Sequence, residues 1–166
     1  MVRCFIALGS NLVDPLNQAI AARRALAAEP NLALASCSSL YQSRPMGPQD
    51  QPDYLNAVLE LYTDLPPLDL LDLTQKIEQQ QGRQRKKERW GPRTLDLDLL
   101  LYANQTINNP RLTVPHYGMK QREFVLLPLA EIAVDLCLPD GCTVQNLAES
   151  IDSNGLQIFK RPVEWA

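Results

Sequence analysis

The sequence predicts an α+β fold, a mostly antiparallel sheet packed with helices and carrying a helical C-terminal extension. Three observations predict it. Segments with a period of two and segments with a helical period alternate in the order β-α-β-β-α-β. Turn and cap signals separate them: Gly9-Ser10-Asn11, Asp14-Pro15, Glu29-Pro30, Pro66-Pro67 and Gly82. The 166 residues, 45% hydrophobic and 21% charged, suit one globular domain over residues 1–166 with a core of its own.

Val2 to Leu8 is apolar and ends at the Gly9-Ser10-Asn11 turn, which predicts a central first strand. Asp14 is placed to cap a helix with Pro15 in its first turn. That helix runs to about Ala28, with Leu16, Ile20 and Ala27 facing the core, and stops at Glu29-Pro30. A second strand spans Leu32 to Tyr41. Ser43 to Asp53 holds three prolines and a glycine among polar residues, a loop long enough to suggest function. In the next strand, Tyr54 to Thr63, Leu55, Ala57, Leu59 and Leu61 share one face, while Tyr54, Asn56, Val58, Glu60 and Tyr62 share the other. Pro66-Pro67 opens a helix to Gln81, with Leu70, Leu73, Thr74 and Ile77 inward and Gln75 and Glu78 three apart. Beyond the Leu95 strand, Arg111 to Tyr117 is irregular. A helix follows from about Met119 to Ala133, kinked or broken at Pro128. Asp140-Gly141 makes a turn, Val144 to Ser150 a short helix, and Leu156 to Lys160 a candidate last strand. Two successive split β-α-β halves point to a ferredoxin-like sheet.

The chain is organised around Arg89 to Tyr102. From Leu95 the alternation puts Leu95, Leu97 and Leu99 on one face and Asp96 and Asp98 on the other, about 6–7 Å apart at Cβ. Asp is depleted in strands, and like charges on one face repel unless something neutralises them. The aspartate face turns apolar again at Leu100 and Tyr102, so the pair stands at the rim of a covered surface. Just upstream, Arg83, Arg85, Lys86, Lys87 and Arg89 crowd five cations into seven positions, and Arg93 follows Trp90-Gly91-Pro92. A carboxylate pair beside a basic loop suits a polyphosphate: carboxylates hold Mg2+, Mg2+ holds phosphate oxygens, and arginines neutralise the rest.

Composition narrows the classes. A net charge of −3 and a pI near 5.2 argue against non-specific nucleic-acid binding. No apolar run approaches the ~20 residues of a membrane span, and no N-terminal secretion pattern is visible, so a cytoplasmic protein is expected. Cys4, Cys37, Cys137 and Cys142 form no C-x-x-C pair and read as free thiols. One histidine excludes a zinc site built from several. Neither a P-loop nor the protein-kinase signature set is present.

Arg89 to Leu100 closely resembles the signature of the 6-hydroxymethyl-7,8-dihydropterin pyrophosphokinases of the folate pathway. The likeness extends to Ile6-Ala-Leu-Gly-Ser-Asn-Leu12, to Gly47-Pro-Gln-Asp-Gln-Pro-Asp-Tyr-Leu-Asn-Ala57 and to Arg111-Leu-Thr-Val-Pro-His-Tyr117. The resemblance implies transfer of the β,γ-diphosphate of ATP to the pterin's hydroxymethyl oxygen, with AMP released. It implies two Mg2+ held by Asp96 and Asp98. It puts Gln75, Glu78, Arg85, Lys86, Trp90, Arg93, Leu99, Arg111, Thr113, His116, Tyr117 and Arg122 at the ATP. It puts Ser43, Arg44, Met46, Tyr54, Asn56, Phe124 and, again, Trp90 at the pterin. The residue chemistry agrees: Tyr54 and Phe124 offer aromatic faces, and Asn56, on the same strand face as Tyr54, offers a donor and an acceptor to a flat amide-edged ring. The chain departs from the family pattern at Arg44, where proline is frequent, at Ser43, where threonine is, and at Gly118, where an acidic residue is.

Such a transfer needs positioning and charge neutralisation and no evident general base. Arg83 and Arg93 are the candidates for stabilising transition-state charge. The loop from Gly82 to Pro92 is expected to be mobile alone and to close over both substrates. The expected partners are these two small molecules, with no nucleic acid and no membrane, and the expected state is a monomer. A two-metal nucleotidyltransferase or nuclease and a ferredoxin-like RNA-binding module are the alternatives. Product identity separates the enzymes, since only the pyrophosphokinase gives AMP and a diphosphorylated pterin.

Overall fold

The computed structural model describes residues 1–11, 14–43, 54–81 and 95–166. In chain order the elements are β1 (Val2–Ser10), α1 (Pro15–Ala28), β2 (Leu32–Cys37), β3 (Leu40–Ser43), β4 (Tyr54–Thr63), α2 (Pro67–Gln81) and β5 (Leu95–Tyr102). There follow β6 (Ile107–Asn108), β7 (Thr113–Val114), α3 (Glu123–Ala133), α4 (Val144–Ser150) and β8 (Gln157–Lys160). The main sheet runs β5-β1-β4-β3-β8, with β2 also paired to β4, and every one of these pairings is antiparallel. β6 and β7 make a separate hairpin.

The alternation of β1, β4 and β5 sorts their side chains onto two faces. Ile6, Leu8, Leu55, Leu59, Leu95, Leu97 and Leu99 join α1 and α2 in one core. Phe5, Val58, Leu100 and Leu101 join Val125, Leu129 and Ala133 of α3, and Val144 of α4, in a second core on the opposite face. Glu131 ties α3 down there: its carboxylate accepts from Ser39 N and Oγ and from Tyr41 Oη at 2.6–3.0 Å.

Several expectations change. The aspartate face does become apolar at Leu100, but Tyr102 lies on the other face, in the α1/α2 core. The register between β1 and β5 slips between Phe5 and Ile6, so the partner of Ile6 is Leu99 while that of Phe5 is Leu101. Leu100 is the extra residue of a bulge, and such a residue inverts the alternation beyond it. The predicted second strand divides into β2 and β3 around Ser38-Ser39, where Ser38 N donates to Val58 O. Asp14 precedes α1 but does not cap it through its side chain; its backbone is left-handed and its carboxylate accepts from Asn17 Nδ2. Ala27 is exposed, and Ala19, Ala22 and Leu26 form the buried stripe of α1.

The helix expected from Met119 breaks earlier than at Pro128. A 3-10 turn, Met119–Gln121, ends at extended Arg122, and α3 then runs from Glu123 straight through buried Pro128. The C-terminal extension is only partly helical, since β8 adds a strand to the main sheet beside β3. Trp165 then closes the molecule, fully buried, donating from Nε1 to Ser38 O at 3.0 Å beneath the Arg23 guanidinium.

Candidate active site

The register of three strands builds the floor of the site. Gly9 pairs with Asp96 on one side and Asn56 on the other; Ala7 pairs with Asp98 and Val58. Asp96, Gly9 and Asn56 therefore form one row across the sheet, about 10 Å from end to end at the strand spacing. Gly9 and Ala7 keep the middle of the floor low. A Cβ at Gly9 would stand 3.6 Å from Asn56 Oδ1, in ordinary contact, so the small residue leaves open space where a larger side chain would divide the row.

Over this floor lies a cleft of about 620 Å³, lined by Ser43, Tyr54, Asn56, Asp96, Asp98, His116, Arg122 and Phe124, among others. It holds an acidic end and an aromatic end. At the acidic end Asp96 and Asp98 are half-buried on the same face of β5. Among the described residues no group of three or more His, Cys, Asp or Glu could hold a metal ion. Two carboxylates are nonetheless a fitting donor set for Mg2+, which takes one or two from protein and fills its octahedron with water and phosphate oxygens. Glu78, expected at the ATP, is buried beneath β5, where its Oε2 accepts from the backbone N–H of Leu97, between the aspartates, at 2.7 Å.

His116 closes this end. Its Nδ1 accepts from Gly118 N at 3.1 Å, so the ring proton sits on Nε2, which faces Asp98 Oδ2 at 3.9 Å. Burial pushes the imidazole below its ordinary pKa of 6.5, the Asp98 charge works against that shift, and the Arg122 charge adds to it. Tyr117 stacks on His116 with ring centroids 4.6 Å apart and is 76% exposed, a flat surface open to a ligand. Arg111 reaches Asp72 at 2.6 Å and Gln75 at 3.5 Å, so Gln75 and Arg111 sit together on the α2 side. Thr113 is exposed on β7. Leu99 is buried in the α1/α2 core, so only its backbone is available to a ligand on the aspartate face.

At the aromatic end Ser43 pairs across strands with Tyr54, and Asn56 Nδ2 donates to Ser43 Oγ at 2.7 Å. That bond orients the Asn56 amide, and one edge remains for a planar ring. Phe124 enters from the first turn of α3. The cleft thus brings together Asp96, Asp98, His116, Arg122, Ser43, Tyr54, Asn56 and Phe124. The candidates Arg44, Met46, Arg83, Arg85, Lys86, Trp90 and Arg93, and with them the expected closing loop, lie outside the described residues. The sequence analysis places Gly9 and Ser10 in a turn and gives Ala7 no site role, whereas β1 runs on through Ser10 and both small residues, Ala7 and Gly9, lie in the floor; small residues at alternate positions of a central strand are a legible sign of it. Nor did it pick out Glu123 and Asn154, which line the cleft and are joined by a 2.6 Å hydrogen bond. Their separation of 31 positions leaves no local signal.

Known proteins resemble this chain over most of its length. The chain is 54% identical over 149 residues to the 2-amino-4-hydroxy-6-hydroxymethyldihydropteridine pyrophosphokinase of Haemophilus influenzae, covering 90% of this chain and 92% of that one. It is 51% identical over 155 residues to the enzyme of the same name from Pseudomonas aeruginosa, covering 93% and 95%. In fold it matches a crystal structure of an HPPK-DHPS in complex with substrates, with a TM-score of 0.69 at 13% identity. The match covers 90% of this chain, which spans 45% of that longer one. Residues 5–134 match the model of one family, and the chain belongs to it: the 7,8-dihydro-6-hydroxymethylpterin-pyrophosphokinases (HPPK).

Proposed function

We propose that this protein transfers the β,γ-diphosphate of ATP to the hydroxymethyl oxygen of 6-hydroxymethyl-7,8-dihydropterin, releasing AMP in folate biosynthesis. The observation that carries the reading is the single cleft with a carboxylate pair at one end and Tyr54, Asn56 and Phe124 at the other. The spacing of about 10 Å between the ends, two strand intervals, suits a flat ring and a triphosphate laid end to end.

Asp96 and Asp98 would hold two Mg2+ against the triphosphate, with phosphate oxygens and water completing the coordination. Bound there, the ions supply Lewis-acid neutralisation of the charge on the phosphate oxygens. His116, Tyr117, Arg122, Thr113, Gln75 and Arg111 line the nucleotide side. Leu99 contributes backbone, and Glu78 acts one layer back by holding Leu97. Tyr54 and Phe124 cover the faces of the pterin, Asn56 and Ser43 read its edge, and Arg44, Met46 and Trp90 complete that pocket. Arg85, Lys86, Arg93 and Arg83 meet the phosphates, the last two during the chemical step.

The hydroxymethyl oxygen forms its bond to Pβ as the bond from Pβ to the α-phosphate's bridging oxygen breaks. AMP leaves with that oxygen, and the hydroxyl proton passes to water. The chain's share is alignment and fixed charge in place of covalent participation. The same reading takes the sheet as ferredoxin-like and the protein as a cytoplasmic monomer, with thiols that suit a reducing compartment.

Product analysis tests it. ATP and Mg2+ are incubated with and without hydroxymethyldihydropterin, and the products are resolved by phosphorus NMR. The expected result is AMP and a diphosphorylated pterin in equal amounts, with neither formed without the pterin. Release of pyrophosphate, or of ADP with a monophosphorylated pterin, would overturn the reading.

A further inference from the structure

Gly118 does not need to be glycine for its backbone. Its φ of −101° and ψ of −1° are open to L-residues other than proline. What a side chain would change is space. A Cβ built at Gly118 would stand 2.7 Å from Arg122 Nε, 2.8 Å from Cζ and 3.0 Å from Nη2. The guanidinium therefore lies directly on the Gly118 backbone, closer than any other residue type permits.

Two rings flank it there. Arg122 Cζ is 5.5 Å from the centre of Tyr117 and 5.9 Å from that of Phe124, both within cation–π reach. These rings lead to opposite ends of the cleft: Tyr117 stacks on His116, which lines the acidic end, and Phe124 lines the aromatic end. Arg122 itself has extended backbone and is half-buried at the start of α3, so its stem enters the cleft from where the 3-10 turn meets the helix.

We propose that Gly118 is a positioning residue: by lacking a Cβ it seats the Arg122 guanidinium between Tyr117 and Phe124, where one fixed cation serves both halves of the cleft. This rests on the proposed pyrophosphokinase reading, in which the diphosphate passes between those halves. A guanidinium already in place needs no reorganisation as charge shifts from the nucleotide toward the acceptor, and such preorganised charge favours the transition state over the ground state. The backbone N–H at position 118 also fixes the His116 tautomer, and any residue but proline retains it.

Gly118→Ala separates these roles. Its dihedrals are permitted, the tautomer bond survives, and the colliding atoms are the far end of a flexible side chain, so the fold is kept and only the guanidinium moves. The expected loss in kcat/KM is about tenfold, a size typical of coupled neighbours, and it falls mainly on kcat. In the Arg122→Ala background the same substitution is expected to cost nothing more. A loss of equal size in both backgrounds, or none in the parent, would overturn the proposal. A second readout is independent of the activity. In the nitrogen-15 NMR spectrum the Arg122 Nε–H signal is expected to be ring-shifted in the parent and to return to the free-arginine position in Gly118→Ala. If the parent makes no AMP yet that signal still moves, the functional reading fails and the seating stands. If the signal is the same in both proteins, the seating fails whatever the activity.

Discussion

Asp96 and Asp98 share one face of β5 in the structure as they do in the alternation of the sequence, and what that face contacts decides their worth. Two carboxylates side by side repel, and a cation removes the repulsion while binding phosphate. Asp96→Ala and Asp98→Ala should each lower turnover by about a thousandfold or more, since a bound metal supplies several kcal/mol of charge stabilisation. In the absence of Mg2+ each variant should melt no lower than the parent; near-normal turnover would contradict the metal assignment. The lone histidine reports on the same corner. With divalent ions chelated, proton NMR should give His116 a pKa below 6.5, and Asp98→Asn should drive it lower, because the lost charge is one that raises it. A rise in that variant would refute the pairing. The sign for stability follows. Below about pH 6.5 the unfolded chain takes up this proton more readily than the folded one, so the contribution of His116 is complete above that pH and shrinks as the pH falls through the folded value.

At the level of elements, period-two patterning made the faces of β4 and β5 legible, because burying one face forbids a slip of register. The bulge at Leu100 was not legible, because Leu99 to Tyr102 is apolar at every position and fits a core on either face. The break in the predicted Met119 helix falls at Arg122 and not at Pro128 for a related reason, while its end at Ala133 agrees. Pro128 forgoes only the bond its missing N–H would give the carbonyl of Phe124, while Val125, Leu129 and Ala133 keep that stretch helical by packing on Phe5 and Val58. At Arg122 the break serves the site, and nothing in local propensity announces it. Glu78 shows the same limit, since its spacing from Gln75 says nothing of burial and the fold buries it under β5. Glu78→Ala would leave the buried N–H of Leu97 without this acceptor, which costs about 1–3 kcal/mol. Urea unfolding should show that loss as a lower midpoint with an unchanged slope, together with reduced turnover as the aspartates lose their support. Unchanged stability would show that Leu97 is held by other means.

Across the whole molecule, the sheet keeps two cores apart and sets the cleft on the α3 face, where Phe124 and Arg122 arrive from the far side of the chain. Long-range closure of this kind was the least legible feature. Trp165 and β8 complete the fold from the last residues, and no local pattern pairs Trp165 with Ser38. The thiols report on the integrity of that closure. Cys4 is fully buried and its pKa is pushed up to about 12 by burial, whereas Cys137 is exposed. Iodoacetamide at pH 8 should modify Cys137 quickly and Cys4 only on unfolding; rapid labelling of Cys4 in the native protein would mean the sheet opens locally. The central claim is that one cleft has a phosphate end and a ring end, read by different residues. Calorimetry on Asn56→Ala, with a non-hydrolysable ATP analogue and Mg2+ bound first, tests it most directly. The account predicts pterin affinity weakened by about 1–3 kcal/mol, the cost of a lost buried amide contact, and nucleotide affinity unchanged. An equal loss of both would mean that Asn56 supports the sheet and does not read the ring.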